Sequence, residues 1–118
     1  MIARAAVRRV GADAGLSLVA IEALTTAVTE IARNVLIHAG NGDLRVEAGR
    51  FGSRRGVVAI IRDDGPGIAD VDRAMHDGFS TGTGLGLGLP GARRLVDEFE
   101  LVSTSELGTM VTLRKFAT

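Results

Sequence analysis

AIIRDDGPGIADVDRAMHDGFSTGTGLGLGLPGARRL, residues 59–95, is the stretch on which the reading of this chain turns. An apolar run stops just before Asp63, and Gly65 and Gly67 follow. Gly82, Gly84, Gly86 and Gly88 then occupy alternate positions, with Gly91 after Pro90. Glycine lets a backbone approach a ligand closely, at a cost in chain entropy. Such density ahead of a helical pattern therefore predicts a backbone shaped around a bound group, with phosphate the first candidate. A solvated linker would have no reason to set Leu85, Leu87 and Leu89 among its glycines. Gly86, Gly88 and Gly91 also fit GxGxxG, but no strand leads directly into them and Pro90 lies inside, so the dinucleotide fingerprint is weak.

Upstream, residues 57–61 are continuously apolar and mostly β-branched, which predicts a central strand that delivers Asp63 to the end of a sheet. Leu44, Val46 and Ala48 alternate with Arg45 and Glu47 as in a half-buried strand, and residues 52–56 read as a polar loop between the two. Ile2, Ala6, Val7, Val10 and Ala14 fit one face of a first helix, with Gly15 as its stop. Ser17 can cap a second and longer helix, ending near Gly40, whose apolar stripe is Leu18, Ile21, Leu24, Val28, Ile31 and Val35. Glu30 and Asn34 lie one turn apart on this helix and share a face beside the stripe.

Downstream, a short helix is expected over residues 70–76, and another from about Gly88 that ends by Glu98. Strands near 99–103 and 109–116 enclose a turn at 106–108. Helices combined in this order with a mostly antiparallel sheet predict a two-layer α/β sandwich of the α+β class, with residues 1–118 as a single domain.

Composition narrows the chemistry. With 14 basic and 14 acidic residues the formal net charge is zero, and there is no aromatic-studded basic patch, which argues against a dedicated nucleic-acid binder. No apolar run approaches the ~20 residues that span a bilayer, so no membrane role is expected, and the absence of cysteine and of a secretory segment makes the cytoplasm the default. Lys115 is the sole lysine and does not follow a glycine, so a Walker A loop is absent, as are the early-strand lysine and His-Arg-Asp loop of eukaryotic protein kinases. His38 and His76 have no partner cysteines and no i, i+4 spacing, which argues against zinc. Asp63 and the glycines after it could simply end a strand. Equally, a carboxylate at a strand end beside an opened backbone can accept a hydrogen bond from an amino group on a flat ring.

Taken together and in order, these motifs resemble those of the GHKL (Bergerat-fold) ATP-binding superfamily, which includes histidine kinases and type II topoisomerases. Residues 26–39 with Glu30 and Asn34 look like its N box, Asp63 to Gly67 like its Asp-x-Gly-x-Gly box, Gly82 to Gly88 like its second glycine box, and Gly108-Thr109 like its last. Within the superfamily, Glu30-Ile-Ala-Arg-Asn34, Asp77-Gly-Phe-Ser-Thr81, Gly84 to Gly91 and residues 94–99 resemble the small serine/threonine switch kinases of the bacterial stressosome, the RsbT type. The family usually places a strand before its first helix, and almost nothing precedes Ile2 here, so either the sequence is truncated or its start differs from the family's, which leaves that edge of the sheet open.

The resemblance implies a mostly antiparallel mixed sheet with helices on one face, binding ATP and Mg²⁺. Asp63 would accept from the adenine amino group, Asn34 would hold Mg²⁺, and Glu30 would orient or deprotonate the attacking hydroxyl, with Arg33 beside it. Gly65, Gly67, Gly82, Gly84, Leu85, Gly86, Gly88 and Thr109 would line the nucleotide. The implied activity is transfer of the ATP γ-phosphate to serine or threonine on a STAS-domain partner, followed by a switch to a second protein such as a metal-dependent serine phosphatase. An anti-sigma-factor kinase and a non-catalytic ATP-binding module are the alternatives.

Overall fold

The computed structural model describes residues 2–39, 42–63, 88–104 and 108–117. The elements run α1 (Ile2–Asp13), α2 (Leu18–Ala39), β1 (Asp43–Phe51), β2 (Arg54–Asp63), α3 (Gly88–Arg94), β3 (Glu98–Thr104) and β4 (Gly108–Phe116). The strands form one sheet in the order β1-β2-β4-β3, and every pairing among the described residues is antiparallel. The three helices among the described residues lie over one face: α2 packs on β2 and β4, α1 on α2, β1 and β2, and α3 on α2. This is the expected two-layer α+β architecture, with residues 57–61 inside an interior strand.

The core forms where the two layers meet. Val7 of α1, Ala14 just beyond its end, and Ile21, Leu24, Val28 and Ile31 of α2 close over Val57, Ala59 and Ile61 of β2 and Val111 and Leu113 of β4. Gly11 marks a close contact between α1 and α2, since a Cβ there would stand 2.9 Å from Ile21 Cγ1. Gly15 stops α1 as expected, its N–H donating to the Ala12 carbonyl (3.1 Å) and that of Leu16 to Gly11 (3.0 Å). Ser17 is the cap of α2: its Oγ accepts from the Ala20 N–H at 3.1 Å.

Two expectations need correction. Leu18 does not belong to the buried stripe; it is 81% exposed, as is Val19. The residue before the cap, Leu16, is buried instead and converges with Ile21 on Gly11. That is a hydrophobic staple between the residue ahead of the cap and the fourth of the helix, which turns the first helical residue outward. The polar loop at 52–56 shrinks to two residues, because Phe51 pairs with Arg54 and the ladder continues through Arg50–Arg55 and Gly49–Gly56. Gly52 has φ of 68° and no described non-glycine residue has positive φ, so Gly52-Ser53 fits a II′ turn, in which only the first position needs glycine. The polarity of residues 52–55 and the glycine at 56 conceal three strand residues, Arg54, Arg55 and Gly56. The alternation in β1 holds at the half-buried Leu44 and Val46 and lapses at the exposed Ala48.

The expected helix at 70–76 lies outside the described residues. No helix among them is long and apolar enough to cross a membrane.

Candidate functional site

The inner face of the sheet can be followed row by row across β2, β4 and β3. Ala59, Leu113 and Phe99 are partners in one row, and Ile61, Val111 and Leu101 in the next. The row after that is Asp63, Thr109 and Ser103, where side chains on the same apolar face turn polar at the strand ends. Asp63 is 7% exposed and Thr109 is also buried. The Ser103 and Thr109 hydroxyls are hydrogen-bonded at 2.9 Å, and either can be the donor. Gly108 opens β4 with φ of 81°, a conformation that L side chains rarely adopt, so a glycine is needed to bring the chain into register at Thr109. The apolar run of β2 therefore does what its sequence predicts: it carries a carboxylate to the end of an interior strand and leaves it buried there.

On α2, Glu30 is 8% exposed and Asn34 half-buried. The exposed Arg33 reaches back to the Glu30 carboxylate, Nη1 to Oε1 at 3.4 Å. A buried carboxylate held by a guanidinium on the solvent side is fixed in place while the cation stays accessible. The turn before it is unusual too. The Thr25 hydroxyl donates to the Ile21 carbonyl at 2.7 Å, and that of Thr29 to the Thr25 carbonyl at 2.8 Å, which lets both threonines be buried in the helix. Arg4 Nε of α1 donates to the Thr29 hydroxyl at 3.4 Å. Among the described residues no buried side-chain nitrogen or oxygen lacks a partner.

Of the residues singled out from sequence, Glu30, Arg33 and Asn34 come together on one stretch of α2, and Asp63 and Thr109 come together as cross-strand neighbours. Gly88 begins α3, whose Leu89 and Ala92 are buried in the core that α2 shares. Gly65, Gly67, Gly82, Gly84, Leu85 and Gly86 lie outside the described residues. Sequence reading passed over Ser103 and Arg4. The first sits in a strand predicted from its apolar neighbours, and only the register reveals what it faces. The second belongs to a run of arginines that resembles a solvated face.

A carboxylate and hydroxyls closing the inner face of an antiparallel sheet, under a helix that carries Glu30 and Asn34, define a class. The chain belongs to the histidine kinase-like ATPase domain family, whose profile matches residues 2–115. Among individual relatives, the serine/threonine-protein kinase RsbT of Bacillus subtilis (strain 168) is 43% identical over 104 residues, covering 88% of this chain and 78% of RsbT. The anti-sigma F factor of Heyndrickxia coagulans is 34% identical over 96 residues, 76% of this chain and 65% of that protein. Full-length ShkA, solved in complex with AMPPNP, shares the fold with a TM-score of 0.64 at 23% identity, over 83% of this chain and 22% of ShkA.

Proposed function

We propose that this chain is an ATP-dependent protein serine/threonine kinase that phosphorylates a STAS-domain partner in a cytoplasmic stress-signalling switch. The observation that carries the reading is the 43% identity to RsbT over most of both chains. The buried Glu30 on α2 and the buried Asp63 at the end of β2 supply the chemistry.

In this reading Asp63 accepts a hydrogen bond from the adenine amino group, with Thr109 beside it. Gly65, Gly67, Gly82, Gly84, Leu85, Gly86 and Gly88 bring backbone N–H groups to the phosphates. The acceptor hydroxyl oxygen bonds to the γ-phosphorus as the bond from that phosphorus to the β–γ bridging oxygen breaks. ADP leaves, and the hydroxyl proton passes to the Glu30 carboxylate. Arg33 keeps that carboxylate in place.

Phosphoryl transfer depends mainly on positioning and on stabilising charge, which a domain of this size can provide. Among the described residues no group of three or more His, Cys, Asp and Glu could hold a metal. The amide oxygen of Asn34, one turn from Glu30, is nonetheless a hard donor of the kind Mg²⁺ takes when phosphates and water complete its shell. When bound there, Mg²⁺ would neutralise charge on the β- and γ-phosphates. Phosphate added to the partner carries about −1.5 to −2 charges, which Glu30 and the nucleotide would repel; release would free the surface for a second protein such as a metal-dependent serine phosphatase.

The test is incubation with labelled ATP and candidate STAS-domain proteins, for the parent and Glu30→Gln. Label should appear on serine or threonine of one partner, and Glu30→Gln should bind nucleotide but transfer about 10² to 10⁴ times more slowly. Transfer at the parental rate would remove Glu30 from the mechanism. The 34% identity to an anti-sigma F factor favours a second reading, in which the partner that is retained is a sigma factor. Tight binding to a sigma factor in the same experiment would select it.

A further inference from the structure

The first turn of α2 carries two side chains that neither the helix nor the core calls for. Leu18 and Val19 are each 81% exposed, because Leu16 takes the place beside Ile21. No acidic residue stands in that turn, although a carboxylate there would suit the positive end of the helix dipole, and valine is a poor helix former. Local structure therefore accounts for where this apolar pair points but not for its chemistry. We infer that Leu18 and Val19 are the anchor by which the acceptor protein docks, away from the reacting atoms. The inference rests on the reading that a protein hydroxyl is phosphorylated at Glu30.

The geometry of α2 points to the occupant. At about 100° per residue, Leu18, Val19, Glu22, Thr26 and Arg33 fall within about 100° of one another, and Glu30 borders the same arc. The first five are all exposed, so one open strip runs along α2 from the apolar pair to the Arg33–Glu30 ion pair. Glu22, within the strip, lies 3.5 Å from Arg8 of α1, so the apolar end is bordered by a neutralised pair and not by a bare charge. Leu18 and Glu30 are separated by about 18 Å along the helix axis. A stable protein–protein interface covers about 800 Å² on each partner, a patch roughly 30 Å across. A protein that lies along the strip with a hydroxyl at Glu30 thus reaches the apolar pair within one interface. The partner that fits presents an apolar side chain about 18 Å from its acceptor hydroxyl. So remote an anchor holds the ground state and the transition state alike, and contributes to KM but not to kcat.

The experiment separates docking from chemistry. With the partner protein labelled in the transfer assay as substrate, KM, kcat and ATP affinity should be measured for the parent, Leu18→Ser/Val19→Ser and Leu18→Met/Val19→Ile. The polar double variant should raise KM for the partner about ten- to a hundredfold, the scale of losing two apolar anchors, with kcat and ATP affinity unchanged. The apolar double variant should keep the parental KM. Residues with only a structural role would change thermal stability and leave KM alone. Phosphorylation of the partner by Leu18→Ser/Val19→Ser with the parental KM overturns the inference. So does conversion of a dimeric parent to monomers by that variant at unchanged KM, since a second copy would then cover this face. A parent that labels no candidate protein would instead overturn the kinase reading, and the inference would fall with it.

Discussion

At one end of the sheet, where β1 turns into β2, the face away from the helices is closed by side chains stacked on one another. The rings of Phe51 and Phe116 lie 6.1 Å apart, the Arg54 guanidinium sits 4.3 Å over the Phe116 ring, and that of Arg114 sits 5.7 Å over Phe51. The backbone is tied there as well, with the Phe116 N–H donating to Asp97 Oδ2 at 2.7 Å and the Ala117 N–H to the Arg55 carbonyl at 2.8 Å. At the other end, the face toward the helices finishes in Asp63, Thr109 and Ser103. Both ends of β2 and β4 are held in the same register, but the first is closed by its own residues and the second presents acceptors and hydroxyls. Damage to the first end should therefore appear in stability, and damage to the second in binding.

The sharpest way to break that division is at Gly56, in the closed half. A Cβ there would meet the Lys115 carbonyl and stand 2.9 Å from Phe116 Cα, so Gly56→Val should force β2 and β4 apart and cost about 3 kcal/mol or more. Urea titration followed by circular dichroism measures it; a midpoint near the parental one would mean that the register at this end is not what holds it. Asp63→Asn comes next. It should weaken ATP binding by one to two decades, from loss of about 1.5 to 3 kcal/mol in a charged hydrogen bond, while circular dichroism shows the fold in place. Equal ATP affinity in calorimetry would remove Asp63 from the site.

Arg54→Ala should cost about 0.5 to 1 kcal/mol of stability by removing the cation over Phe116, with ATP affinity unchanged. A loss of nucleotide binding in that variant would erase the contrast between the two ends. The smallest effect is expected at Leu18, which is 81% exposed: Leu18→Ser should change stability by less than about 0.5 kcal/mol. A larger loss would return Leu18 to the core, where its spacing alone would put it.

Local patterns announce local structure in this sequence, and the features it conceals are those that depend on distant partners. Ser17, Gly15 and the run into Asp63 act within a turn or a strand of themselves, so each can be read from its neighbours. Helical periodicity assigns Leu18 to the buried stripe because counting by threes and fours cannot see that Leu16 already fills the space beside Gly11 and Ile21. The end of the hairpin was hidden because Arg54 and Arg55 look like loop residues, and the ring of Phe116 that covers Arg54 lies far along the chain. The same holds at the site. Glu30, Arg33 and Asn34 are neighbours on one helix, whereas the Ser103–Thr109 bond and its position next to Asp63 exist only once β2, β4 and β3 are in register.

The pairing of β2 with β4 also bears on how the molecule is made. The β1–β2 hairpin closes over the two residues Gly52 and Ser53 and can form early, but Asp63 meets Thr109 only after residues 64–108 have been brought round. Closing so long a loop costs entropy before any contact compensates for it, and pairings distant in sequence slow a folding reaction. A ligand that needs both strands has nothing to grip in the partly folded chain, so ATP would stabilise the finished domain by mass action without hastening its assembly. Refolding rates measured with and without nucleotide should then coincide, and the nucleotide's whole effect should fall on the rate of unfolding.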